Sequence, residues 1–292
     1  MEFHDLAGFK EPASKLIEAI RSATGIYYEP TAIRRKAKAE ADASIILTNA
    51  EIQKNDLLRR AVERVAKTEM KRQENIDSIV SIAANHEVKE SSEANPENDW
   101  INYFFEESKD VSDQSLQEIW GKILAEEVAT PGKISRRTLS LLKRISKVEA
   151  EIFSRFCNLC WVDGSDYFIP TEGVSNKIIA TADLTFDDCQ ELNISGLIYT
   201  TQNIGVSVKD GSEISYFDAR IIVSLPLQAN KPETIGFPAI HDVFTIPSLV
   251  LTRSGSELYR IIKLTPNYDI LPEIITSIGF LGTFLSLKLP DK

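Results

Sequence analysis

The stretch NDLLRRAVERVAKTEMKRQENIDSIVSIAAN, residues 55–85, decides how the chain begins to fold. It holds neither glycine nor proline and is built largely from good helix formers. Asn55, Leu58, Val62, Val65, Glu69, Arg72, Ile76, Ile79 and Ala83 recur at spacings of three and four. That is a coiled-coil seam interrupted by a polar pair, Glu69 and Arg72. The run without Gly or Pro begins at Thr31, so one helix of about 80 Å is expected at 1.5 Å per residue. No small domain covers such a length. The helix must fold back or pair with another chain, and the missing break favours pairing. Leu58, Val62, Val65, Ile76 and Ile79 are therefore the candidate oligomerisation residues, and a homo-oligomer is the expected partner.

Upstream, Pro12 to Thr24 reads as a short amphipathic helix, with Pro12 suited to a first helical position. Leu16, Ile17 and Ile20 form its apolar face and are the candidates for contact with a membrane surface. Downstream, VKESSEANPEN (88–98) is a linker without periodicity. Helices follow, one through Trp100, Ile101, Phe104 and Phe105, one through Leu116, Ile119, Trp120, Ile123, Leu124 and Val128. Thr130-Pro131-Gly132 breaks the second, and two more helices are expected, Ser135 to Ile145 and Ser146 to Trp161. Beyond Asp163, short apolar runs alternate with Gly, Asn and Asp: Tyr167-Phe168-Ile169, Leu197-Ile198-Tyr199, Ile204 to Val208 and Ala219 to Leu225. These read as strands around a helix at Phe186 to Leu192. A last unit reads strand (Val243 to Leu251), helix (Ser254 to Ile262), helix (Tyr268 to Ile278) and strand (Thr283 to Leu289).

Composition sets the class. With 43 acids against 33 bases in 292 residues the net charge is -10, which argues against a dedicated nucleic-acid coat. Three cysteines make no disulfide framework and point to a reducing compartment. A cytoplasmic protein is expected, peripheral at a membrane if the N-terminal helix touches lipid. Charge is nevertheless uneven. Lys133 to Lys147 carries six bases and no acid, and Arg136, Arg137, Lys143 and Arg144 share one helical face. Residues 151–245 carry thirteen acids and five bases. The four cations are the candidate site for an anionic partner. The acidic surface, in the same chain or a neighbouring copy, is preferred to nucleic acid.

Several segments resemble a bacterial family of unknown function with a charged, Ala-rich N-terminal helix and a Trp-containing centre. They are YEPTAIRRKAKAEADA (28–43), DWINYFF (99–105), VSDQSLQEIWGKILAEEVATPGKISRRTLSLLKRIS (111–146), FDDCQELNISGLI (186–198) and LTRSGSELYRII (251–262). The N-terminal pattern is also similar to that of proteins implicated in abortive infection and phage defence. The resemblance implies a defence role and carries over no catalytic residue.

Motifs for chemistry are sparse. Cys157-Asn158-Leu159-Cys160 is a CxxC, but it closes an apolar helix, whereas a redox CxxC opens one, and a second ligand pair for zinc is missing. Core cysteines are expected. There is no GxGxxG and no Walker-type loop to cradle phosphate. Asp187, Asp188 and Glu191 read as acids in and near the first turn of a helix rather than metal ligands. Neither a catalytic residue nor a cofactor or metal site is assigned.

The expected fold is α+β: an amphipathic segment (1–30), a long coiled-coil helix with linker (31–95), a central helical and winged-helix-like domain (96–225) and a small C-terminal α+β unit (226–292). The expected function is that of a non-enzymatic antiphage defence component. It would oligomerise through its long helix and sense or act on a phage-derived structure or membrane, with a second protein component as a further partner. The alternative is a nucleic-acid-binding regulator that uses the basic helix 133–147.

Overall fold

The computed structural model describes residues 16, 18, 20, 56–88, 92, 94–170, 177–200, 205–209, 211–224, 243–272 and 284–288. The helix expected over 31–55 and most of the 1–30 segment lie outside them. The chain divides into two compact units, Met1–Lys143 and Arg144–Lys292.

The described part of the first unit is helical: α1 (Asp56–Asn85), α2 (Asn98–Ser108), α3 (Gln114–Ala129) and α4 (Arg136–Arg144), whose last residue crosses the boundary. Asp113 starts α3 by accepting the backbone N–H groups of Ser115 and Leu116. Glu127 ends it from within: buried, its carboxylate accepts the N–H of Gly132 at 2.6 Å and of Ile134 at 2.9 Å. These bonds fix the Thr130-Pro131-Gly132 break, where Gly132 takes φ +87°. The core is aromatic. Trp100 stacks on Phe104 at 5.3 Å, and Phe104 meets Trp120 edge-on at 5.2 Å. The Trp100 indole donates to the Ile134 carbonyl at 2.8 Å, tying α2 to the loop before α4.

Helix α1 joins this core through its C-terminal half, where Asn75, Ile79, Val80 and Ala83 are buried and α3 is its main neighbour. The crossing is close at Gly121, where a Cβ would lie 2.5 Å from Ile82 Cγ2. A polar ladder fixes the register. Ser78 Oγ donates to Gln117 Oε1 at 2.8 Å, Gln117 Nε2 donates to Asn75 Oδ1 at 3.2 Å, and Asn75 Nδ2 donates to the Lys109 carbonyl at 2.9 Å. Satisfied polar groups between apolar helices specify one alignment, because any slip strands them.

At the upper end of this contact Arg72 pairs with Asp110 at 2.7 Å. The hydrogen bond from Arg72 holds the Asp110 carboxyl below its usual range. The stability it contributes is present above the ordinary carboxylate range and is lost as pH falls through the depressed value. Acid melts of wild type and Asp110→Asn should therefore begin to converge only below about pH 4. Curves that stay parallel from pH 7 to 3 would show that the pair adds nothing.

The second unit holds α5 (Lys147–Cys157), β1 (Trp161–Asp163), β2 (Asp166–Pro170), α6 (Lys177–Ala180), α7 (Phe186–Ile194), β3 (Ile198–Tyr199), β4 (Gly205–Lys209), β5 (Glu213–Tyr216), β6 (Ala219–Ser224), β7 (Val243–Leu251), α8 (Arg253–Tyr259), a 3₁₀ turn (Tyr268–Ile270) and β8 (Phe284–Lys288). Capping boxes open both longer helices, Ser146 with Glu149 on α5 and Thr185 with Asp188 on α7. All eight strands join one antiparallel sheet in the order β3-β7-β2-β1-β5-β6-β8, with β4 also on β7.

The fold is α+β. Its second unit contains the succession helix α5, strand β2, helices α6 and α7, strands β3 and β4, strand β7, with β7 between β2 and β3. That connectivity is the one of a winged-helix module, with β5 and β6 inserted before the last strand. The sheet runs across 225/226, since β7 and β8 pair with strands that precede it, and the contacts divide the chain at 143/144. Trp161 is another correction. It opens β1 instead of closing a helix, because Gly164, at φ +58°, turns Asp163 back onto Asp166 in a two-residue hairpin.

Candidate functional site

Three surfaces deserve comparison with the residues that the sequence singles out. The first is α1. At 100° per residue, Leu57, Leu58, Ala61, Val62 and Val65 occupy the same sector of about 140° as Asn75, Ile76, Ile79, Val80 and Ala83. One stripe thus runs the length of the helix. Its C-terminal part is covered by the unit's own helices, while Leu57, Leu58 and Val65 are exposed, Val65 to 57%, and Val62 is half-buried. The expected seam is corrected at its lower end. Ile79 is fully buried and Ile76 half-buried within the unit, so they serve the fold of one chain. Leu58, Val62 and Val65 remain accessible.

The second surface is α4. Thr138, Leu139 and Leu142 face the core, which leaves Arg136, Arg137, Lys143 and Arg144 outward as the wheel predicts. They are not equivalent. Lys143 reaches Glu107 at 3.2 Å, and Arg136 lies 3.7 Å from Glu97 and 3.8 Å from Asp99, all acids of α2 or its N-cap. Arg137 and Arg144 have no acid within 4 Å among the described residues. They are two turns apart on one face, about 10.5 Å along the axis.

The third was not marked as a site by sequence reasoning. Helix α7 stands where a DNA-binding winged helix carries the helix that enters the major groove. Here Cys189 and Leu192 point into the core, and the outer face presents Phe186, Asp187, Glu191 and Ile194. Phe186 is 53% and Ile194 82% exposed. Asp188, the remaining acid, is spent on the Thr185 cap. A face with two outward carboxylates and no base is repelled by phosphate and suits a protein surface. The available signal was the pattern F-D-x-x-x-E-x-x-I, with apolar residues where a solvated helix face has polar ones.

The other candidates resolve as structure. Cys157, Cys160 and Cys189 are buried free thiols. Burial pushes the Cys157 thiol well up and that of Cys189 up to about 11, the opposite of an activated thiolate. Among the described residues no group of three or more His, Cys, Asp or Glu is placed to hold a metal ion. The N-terminal lipid face is also corrected: Leu16 and Ile20 are 3% and 2% exposed, so they pack into protein, and Ile17 lies outside the described residues. Among the described residues no helix is long and apolar enough to cross a membrane. An open depression of about 370 Å³ beside the end of α1, lined by Ser81, Asn85, His86, Glu118 and Lys122 among others, lacks the enclosure of a ligand pocket.

A family model described as "Protein of unknown function (DUF2806)" matches residues 59–273. The match takes in nearly all of α1 and everything to the 3₁₀ turn, including four of the five segments quoted above; 28–43 precedes it. No curated protein and no solved structure matches the chain.

Proposed function

We propose that the chain, which belongs to the DUF2806 family, acts as a self-associating, protein-binding component. The observation that carries this reading is the stripe on α1. The same face that packs on α3 continues upward as Leu57, Leu58, Val62 and Val65, past the helices that cover its lower half. An apolar face extended beyond its own core is stabilised by a second copy of itself, in register, with Arg72 and Glu69 marking where the intramolecular contact takes over. The acidic face of α7 supports binding to protein over DNA. The pairing of Arg136 and Lys143 with α2 halves the basic face on which a nucleic-acid regulator would rely. The setting is phage defence, inferred from the resemblance of the N-terminal pattern to that of abortive-infection proteins.

Replacing Leu58, Val62 and Val65 together by Asp should convert the wild-type oligomer to monomer in light scattering at 500 mM NaCl, since unpaired charges on a buried seam oppose association strongly. All three sites lie above the packed half of α1, so circular dichroism should change little. A wild-type protein that is monomeric at micromolar concentration refutes the reading. In cells, the wild-type gene should protect against phage and the triple variant should not. Equal plaque counts with and without the wild-type gene, across a phage panel, would remove the defence role.

A further inference from the structure

We propose that α7 of one copy docks on α4 of a second copy, with Asp187 and Glu191 taking Arg137 and Arg144. The outer face of α7 combines two carboxylates four residues apart with Phe186 and Ile194 at its two ends. A ligand for such a face is cationic and carries apolar stems or rings. Arginine supplies both in one side chain: its guanidinium forks onto a carboxylate or lies over an aromatic ring, and its methylenes cover an aliphatic neighbour. The chain presents that ligand on α4, where Arg137 and Arg144 project on one face. The other two cations of the helix are held by Glu97, Asp99 and Glu107, so these are the two left for a partner. Arg137, Arg144, Asp187 and Glu191 are all exposed, and none has an opposite charge within 4 Å among the described residues. Complementary surfaces left open on one chain are satisfied by another copy.

The contact joins two different patches, so two copies that pair reciprocally form it twice. Because its charges are solvent-facing, it weakens as salt rises, whereas the apolar α1 contact does not. It deepens the self-association proposed above without depending on the same residues.

The test is sedimentation of full-length protein at 50 and 500 mM NaCl. Wild type should show a salt-sensitive component of association. Arg137→Glu with Arg144→Glu should lose it, with at least a tenfold weaker dissociation constant, and so should Asp187→Arg with Glu191→Arg. Mixed in equal amounts, the two charge-reversed proteins should associate again to within a few-fold of wild type, because each variant helix then meets its complement. Both pairs behaving as wild type would overturn the proposal. So would failure of the mixture to associate while both proteins keep wild-type circular dichroism. A duplex-DNA shift that survives 150 mM salt and is lost only in the α4 variant would overturn it in favour of nucleic acid. The two proposals fail separately. In the Leu58→Asp, Val62→Asp, Val65→Asp background the salt-sensitive component should persist. Its loss in the charge variants alone leaves the α1 contact standing.

Discussion

Replacing Trp120 by alanine is expected to destabilise the helical unit by about 3–5 kcal/mol, the range for deleting a large aromatic from a packed core. Trp120 is fully buried and meets Phe104 edge-on, and Phe104 in turn stacks on Trp100. Removing the indole leaves a cavity that three helices cannot close together, because the α1 to α3 register is held by the ladder through Asn75, Ser78 and Gln117. Such a loss is a large part of the stability of a domain, so the variant should be partly unfolded at 37 °C. Trp120→Phe should cost less than half as much. It keeps the edge-on contact and removes an indole N–H that is buried without a hydrogen-bond acceptor among the described residues. Urea midpoints compared at equal slope measure both changes. A Trp120→Ala protein within about 1 kcal/mol of wild type would mean that the aromatic cluster is not the core of this unit.

Which parts of this architecture the sequence discloses follows from the range of the interaction that forms each. Helices α1, α3 and α4 are legible because their apolar positions repeat at helical spacing, and α5 and α7 because a Ser or Thr cap precedes an acid at the third position. Strands with long apolar runs, such as β7, are legible too. The sheet is not. Its strand β7 pairs with β2, β3 and β4 across many tens of residues, and nothing local in the chain names those partners. Strand β1 went the same way: Trp161 continues the apolar rhythm of α5, and only the turn Asp163-Gly164-Ser165-Asp166 marks the reversal.

The surfaces divide along the same line. That Arg136, Arg137, Lys143 and Arg144 share a face follows from 100° per residue. That two of them are neutralised does not, because Glu97, Asp99 and Glu107 arrive from α2. Likewise the heptad spacing of α1 locates its apolar stripe but is silent on where its own core stops. Ile79 and Leu58 are alike in the pattern, and only packing separates the one that is buried from the one that is half exposed. The face of α7 was hidden for another reason. Its acids read as helix-capping residues, which Asp188 is, and only the connectivity of the module shows Asp187 and Glu191 in the place of groove-reading side chains.

The second large effect tests the module itself. Gly255→Ala is expected to destabilise the second unit by about 3 kcal/mol, the upper part of the usual overpacking range. Helix propensity alone gives the opposite sign, a gain of up to about 1 kcal/mol for replacing a helical glycine by alanine. The clash decides between them. A Cβ at Gly255 would lie 2.2 Å from the Leu197 carbonyl oxygen and 3.3 Å from Leu251 Cβ. The helix cannot retreat, because its N-terminus is tied to that same backbone. Thr252 N–H donates to the Leu197 carbonyl at 2.9 Å, Thr252 Oγ1 donates to the Gly196 carbonyl at 2.7 Å and accepts the Gly255 N–H at 3.1 Å. Relieving the clash therefore breaks the cap or pulls β3 from β7, where Ile198 and Tyr199 pair with Leu251 and Val250. Gly132→Ala is the control for backbone conformation: at φ +87° with nothing within 4 Å of its Cβ, it should cost only about 1–2 kcal/mol of left-handed strain. Thermal and urea unfolding of the two variants should rank Gly255→Ala well below Gly132→Ala. A Gly255→Ala protein more stable than wild type would show that α8 does not sit against β3, and the winged-helix connectivity would lose the corner on which β7 turns.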